Sequence, residues 1–181
     1  MPGRRWVPTI LVAAIIAVVV LGGIGLDTVI AAPSAGTVVV GGPVTIIAAP
    51  GWVLESPPGD TSEGIELQKS DAILTAEVVA SSYSGDSASM LASQEESLSG
   101  ESAQISYGDP QLTSVGGHDT AFVLFEATLV SGQRSGVIDG ELTCMVVDGN
   151  AVVILVGAPQ GDLDPVIDDV SAMLASVRAG R

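Results

Sequence analysis

Apolar residues run almost without a break from Trp6 to Leu26, and from Thr37 onward they fall into short punctuated stretches instead. That change of period divides the chain. The first run carries no charge; as a helix rising about 1.5 Å per residue its 21 residues reach roughly 30 Å, the hydrocarbon thickness of a bilayer. Arg4 and Arg5 precede it and no basic cluster follows, which predicts a cytoplasmic N-terminus and everything after Leu26 outside. Residues 1–26 are therefore expected to be a basic tip and a transmembrane signal-anchor, and residues 27–36 a tether. Small residues from Ala31 to Ala35 keep open the alternative of a cleaved signal peptide and a secreted product. Pro33 interrupts most of those sites, and a secretory apolar run is normally only about 7–15 residues long. No cysteine follows the run, so it is not a lipoprotein signal. Ala13 and Ala17 form a small-xxx-small pair too common in Ala-rich segments to argue helix association.

The remainder, 37–181, reads as one domain. Thr37–Val40 and Val44–Ala48 are short strands punctuated by Gly41-Gly42-Pro43 and Ala49-Pro50-Gly51. Gly64 to Ala80 alternates on either side of Lys69-Ser-Asp71, a hairpin pattern. Ala88, Leu91, Glu95 and Leu98 recur at helical spacing behind Asp86 and Ser87, which predicts a capped helix over 87–98. Gln104–Tyr107, Gln111–Val115, Thr120–Val130, Gly136–Val147 and Ala151–Val156 follow as a meander with short Gly-, Asp- and Asn-bearing turns. Asp164 as N-cap and Pro165 at the first helical position open a last helix, with Val166, Val170, Met173, Leu174 and Val177 as its apolar stripe. Strands, a helix, a run of strands and a terminal helix predict an α+β fold, an antiparallel sheet with helices packed on it.

Charge narrows the function classes. From Asp27 on the chain holds all 21 carboxylates and four basic residues, a formal charge of −17. Such a surface repels phosphate backbones, so nucleic acid is not an expected partner. Solvated acid that promotes solubility explains most of it; attraction of a divalent cation or a basic partner is the sharper alternative. One lysine against five arginines, with abundant Ala, Gly and Val, is the compositional habit of actinobacteria.

Candidate chemistry is sparse. The sole histidine, His118, stands beside Asp119, but neighbours on a strand point apart, and Gly132 to Gly136 has the wrong spacing for a nucleophile elbow. His118 is therefore expected at a turn or strand edge. Cys144, the only cysteine, lies in an apolar-alternating run and is expected to be a buried thiol; one Cys and one His make no zinc cluster. Asp162, Asp164, Asp168 and Asp169 are the densest carboxylate group, yet they lack the spacing of a calcium loop and suit helix capping. Glu95, Glu96 and Glu101 read as solvated residues around a helix end, and Trp52 as packing in a core or cleft rather than a stacking platform. No catalytic residue, metal ligand or cofactor is indicated.

Gly51-Trp52 after a short strand, Ile65 to Lys69 running into Ala72 to Ala76, Gly116-Gly117-His118 before a long strand, Val153–Pro159, and a final helix ending Met173 to Arg178 together resemble actinobacterial envelope proteins of the PsbP-like fold, which includes mycobacterial LpqN-type lipoproteins. The resemblance covers about residues 37–178. It implies an α/β/α sandwich around an antiparallel sheet and non-enzymatic accessory or binding roles. This chain departs from the lipoproteins in having a helix where they have a lipid-attachment cysteine. The expectation is a non-catalytic, membrane-anchored extracytoplasmic binding or accessory domain of the cell envelope. Its partner would be an envelope protein or lipid-like ligand, beyond the membrane met through residues 6–26. The alternatives are a structural membrane component acting through its helix, and an envelope hydrolase with an unrecognised site.

Overall fold

The computed structural model describes residues 36–55, 64–98, 104–131 and 134–180. The expected membrane helix, and the expected tether up to residue 35, lie outside those residues; among the described ones no helix is long and apolar enough to cross a membrane.

Two sheets share one core. The small sheet joins β1 (Thr37–Gly41), β2 (Val44–Ile47) and the two-residue β11 (Arg178–Ala179) in the order β1-β2-β11. The large sheet contains β3 (Val53–Glu55), β4 (Ile65–Lys69), β5 (Ala72–Ala80), β6 (Gln104–Tyr107), β7 (Gln111–Val115), β8 (His118–Ser131), β9 (Arg134–Val147) and β10 (Asn150–Pro159). Its order is β3-β4-β5-β10-β9-β8-β6, all antiparallel. The long β8 shares its outer edge between two short strands: β7 pairs with residues 118–122 and β6 with 125–128.

The apolar pattern explains why β10 is central. Every residue from Asn150 to Ala158 is buried. Val152, Ile154 and Val156 face one core; Ala151, Val153 and Leu155 face the other. An antiparallel strand so uniformly apolar needs cover on both sides. On one face the cover is the small sheet, Trp52 and the C-terminal helix α2 (Ile167–Ala175). On the other it is α1 (Ser87–Leu98), which lays Met90, Leu91 and Leu98 over Ala121, Val123, Leu142 and Cys144. The result is the predicted α+β arrangement with helices on both faces of the sheet.

Turn chemistry fixes the register. Asp148 and Gly149 have φ of 48° and 77°, the paired positive values of a two-residue hairpin turn that matches strand twist. The cap of α1 is Asp86, whose Oδ1 accepts the Ser89 N–H at 2.7 Å. A second cap comes from far along the chain: Asp119 Oδ2 accepts the Ser87 N–H at 2.8 Å.

The last helix differs from its expected start. Asp164-Pro165-Val166 form a 3₁₀ turn, and the α-helix begins at Ile167 with no side-chain cap. Proline fixes φ in a value both helix types accept, so it marks the entry without choosing between them. Strands β3 and β11 were not predicted, being too short to show an alternation.

Candidate functional site

The residues singled out by chemistry do not come together. His118 opens β8 and is half-buried, with its Nε2 enclosed and without a hydrogen-bond partner. The Asp119 carboxylate is occupied at α1 by the Ser87 amide, so it does not orient the imidazole. Cys144 is buried; burial first, and then the negative charge of Glu95, push its thiol up to about 12. A thiol held protonated at neutral pH is neither nucleophile nor ligand.

The C-terminal aspartates separate in the same way. Asp162, Asp164 and Asp168 are exposed. Asp169 turns inward, where its Oδ2 accepts the indole N–H of Trp52 at 3.1 Å and pairs with the Lys69 ammonium at 2.6 Å. The Lys69 hydrogen bond chiefly, and the Trp52 bond with it, hold the Asp169 carboxyl below the usual carboxylate range. Trp52 has no exposed surface, so it is a core residue and not a stacking platform. Glu96 is exposed, as expected, but Glu95 is half-buried with Oε1 shielded from solvent; Glu101 lies outside the described residues. Among the described residues no three His, Cys, Asp or Glu side chains gather as a metal site.

An open cleft of about 450 Å³ lies elsewhere, where β6, β8 and β9 meet the loop entering α2. Ser106, Leu124, Glu126, Asp139, Leu163 and Asp164 line it. The strand register builds its floor. Glu126 of β8 stands directly opposite Asp139 of β9, and Ser106 of β6 directly opposite Glu126. Two residues along, on the same face, is Leu124, which keeps 49% of its surface exposed. The loop supplies the wall: Gly161 donates its N–H to Asp139 Oδ2 at 3.0 Å, and Gln160 Nε2 donates to Glu126 Oε2 at 3.3 Å. The described basic side chains, Lys69 and Arg178, are engaged elsewhere, with Asp169 and with the Ala175 and Val177 carbonyls.

Glu141, opposite Leu124, continues this acidic row into the protein. Burial raises its carboxyl above the usual range, a shift partly opposed by the hydrogen bond it accepts from Thr143 Oγ1 at 2.6 Å. The cleft thus offers an apolar ledge, two facing carboxylates and a third on its wall. It can hold a ligand; Ser106 faces Glu126, but that carboxylate accepts from Gln160 and no hydrogen bond joins it to the serine.

Sequence reasoning missed Glu126 and Asp139. The signal was present, since each is an acid inside a strand otherwise rich in Val, Ile, Leu and Phe. Their juxtaposition depends on the pairing of β8 with β9.

No protein family matches the chain in sequence, and no curated protein does either. Solved structures resemble it in shape. Cyanobacterial PsbP (CyanoP) from Synechocystis sp. PCC 6803 superposes with a TM-score of 0.56 over 87% of this chain and 99% of that one, at 10% identity. The Saccharomyces cerevisiae Ran-binding protein Mog1p gives 0.53 over 82% and 96%, also at 10% identity. Identities this low show the fold alone, and the fold is the PsbP-like one that the sequence resemblance implied. LpqN of Mycobacterium tuberculosis, involved in cell envelope biogenesis, gives 0.43 at 16% identity over 81% and 90%, a superposition too loose to argue from.

Proposed function

We propose that this chain is a non-catalytic binding or accessory domain of the bacterial cell envelope, held to the membrane by residues 6–26 and displayed outside the cytoplasm. The observation that carries the binding role is the open cleft, which joins exposed apolar surface to a facing pair of carboxylates. Two like charges facing across adjacent strands cost stability. A ligand that brings positive charge relieves that repulsion and can cover the half-exposed Leu124 beside it. The titratable groups point the same way: the Cys144 thiol is sealed and protonated, the Asp169 carboxylate ties helix to core, and the Asp119 carboxylate holds the Ser87 amide. Two proteins of this fold fit the reading, one a PsbP and the other a Ran-binding protein. The membrane and envelope parts rest on the length and apolarity of residues 6–26 and the two arginines before them.

Affinity purification of the full chain from its native membranes, after mild cross-linking, tests the proposal. A specific partner in near-equal amount, lost when residues 37–181 are deleted, is the expected result. Recovery of the full chain from the soluble cytoplasmic fraction, with no specific partner, would overturn it.

A further inference from the structure

We infer that the cleft between β8, β9 and the loop 160–164 takes a basic, apolar-bearing peptide segment of a partner protein, with lysine or arginine two positions from a large aliphatic residue. The inference rests on the binding role proposed above and adds the chemistry of the partner.

Charge complementarity decides the sign. Glu126 and Asp139 are direct cross-strand neighbours, with Asp164 on the same cleft. Like charges in that position repel, and their partners here are neutral donors, the Gly161 amide and the Gln160 side-chain amide. An amide hydrogen bond offsets desolvation of one carboxylate but leaves the net negative charge. An ammonium or guanidinium group between the two would neutralise both. Arginine and lysine carry those groups with long apolar stems, which suits a cleft whose floor includes aliphatic surface.

Leu124 decides against a bare ion. A divalent cation would need several oxygens converging on one point, and the described residues hold no such group of three. A half-exposed leucine beside the carboxylates adds nothing to ion binding but provides a seat for an aliphatic side chain. A second copy of this chain is disfavoured by its own formal charge of −15. An extended peptide fits the site's length as well. Side chains two residues apart on a strand project to the same side, so the spacing from Leu124 to Glu126 matches an aliphatic and a basic residue two positions apart in an extended peptide.

The test uses the full chain in nanodiscs of zwitterionic lipid. The probe is a fluorescent lysine–leucine hexapeptide in which leucine, lysine and leucine occupy every second position with serine between them; a lysine–serine hexapeptide with serine for both leucines and a glutamate–leucine hexapeptide with glutamate for the lysine are its controls. The lysine–leucine peptide is expected to bind, with backbone amide shifts concentrated at Ser106, Leu124, Gly140 and Gly161. Glu126→Gln with Asp139→Asn should weaken binding about tenfold at low salt, a loss typical of two or three partly exposed charge contacts. Asp71→Asn with Glu96→Gln removes two exposed charges elsewhere and should change affinity less than about twofold. Leu124→Ser should weaken the lysine–leucine peptide and leave the lysine–serine peptide unaffected. The Glu126/Asp139 variant loses a repulsion, so its melting temperature should hold or rise, which separates loss of binding from loss of fold. Equal losses in the two charge-pair variants, or shifts spread over the acidic surface, would overturn the inference. A membrane partner captured equally by wild type and the Glu126/Asp139 variant would leave the binding role standing and remove the cleft from it.

Discussion

Replacing Asp169 separates two interactions that meet on one oxygen. Its Oδ2 accepts the indole N–H of Trp52 and pairs with Lys69, tying α2 to the core and to the end of β4. Trp52 is wholly buried, so Asp169→Ala leaves an indole N–H in the interior without an acceptor, a loss of about 1–3 kcal/mol. The Lys69 pair is worth less. The two side chains keep 33% and 27% of their surface exposed, and such pairs contribute about 0.5 kcal/mol. Asp169→Ala should therefore cost about 2–3 kcal/mol at neutral pH. Asp169→Asn keeps an oxygen for the indole and loses the ion pair, so it should cost about 0.5–1 kcal/mol. The dependence on pH follows from the direction of the shift. The folded carboxyl titrates below its unfolded value of about 4, so its stabilisation is complete above that value and disappears as pH falls through the folded one. Urea unfolding of the full chain in mild detergent, followed by far-ultraviolet circular dichroism at about pH 7 and about pH 2, measures both terms. The Asn gap should close in acid while the Ala gap narrows without closing, because a protonated carboxyl still accepts the indole hydrogen. Equal costs for Asn and Ala at neutral pH, or an Asn gap unchanged in acid, would refute the reasoning.

The remaining predictions concern the sheet. Glu141→Gln should stabilise the protein at neutral pH: burial raises the folded carboxyl, so ionisation costs stability above the folded value, and that cost vanishes below the unfolded one. Thermal melts at about pH 7 and about pH 3 should show a gain in the first and none in the second; a loss at neutral pH would show that the charge itself is needed. Cys144 should resist thiol reagents in the native protein at about pH 8 and react fully in urea, and fast native labelling would contradict its burial. Gly140→Ala should destabilise by about 1–3 kcal/mol, because a Cβ there meets the Phe125 ring and lies 2.6 Å from the Val156 carbonyl oxygen, which the sheet holds in place. A neutral Gly140→Ala melt would mean that β9 and β10 shift more easily than their ladder suggests.

Much of the fold was legible because each long strand carries its own alternation. The run from Asn150 to Pro159 is apolar on both parities, and the structure accordingly places it between two covered faces. Asp86 announced α1 by supplying the short acceptor that free N–H groups need. The second cap, from Asp119, was not legible, since 32 residues separate it from Ser87 and only folding of β8 brings it there. Asp164-Pro165 marked the entry to α2 but not its helix type. Glu95 sat on the stripe of Leu91 and Leu98, and its half-buried position follows that stripe rather than its charge. The cleft was hidden for a different reason. Its two carboxylates lie thirteen positions apart, and they become neighbours through the register of β8 on β9, a property of paired strands rather than of either segment.

The central claim is that the Glu126–Asp139 cleft is where this domain meets a partner. A photo-crosslinking residue placed at Leu124 in the full chain, in its native membrane, tests it most directly, with the more exposed Leu112 on β7 as an apolar control. The account predicts one strong adduct from position 124, mapping to a lysine- or arginine-rich segment of another protein and lost in the Glu126/Asp139 variant. Adducts from position 112 alone, or none from 124 while the chain remains bound to its partner, would contradict it.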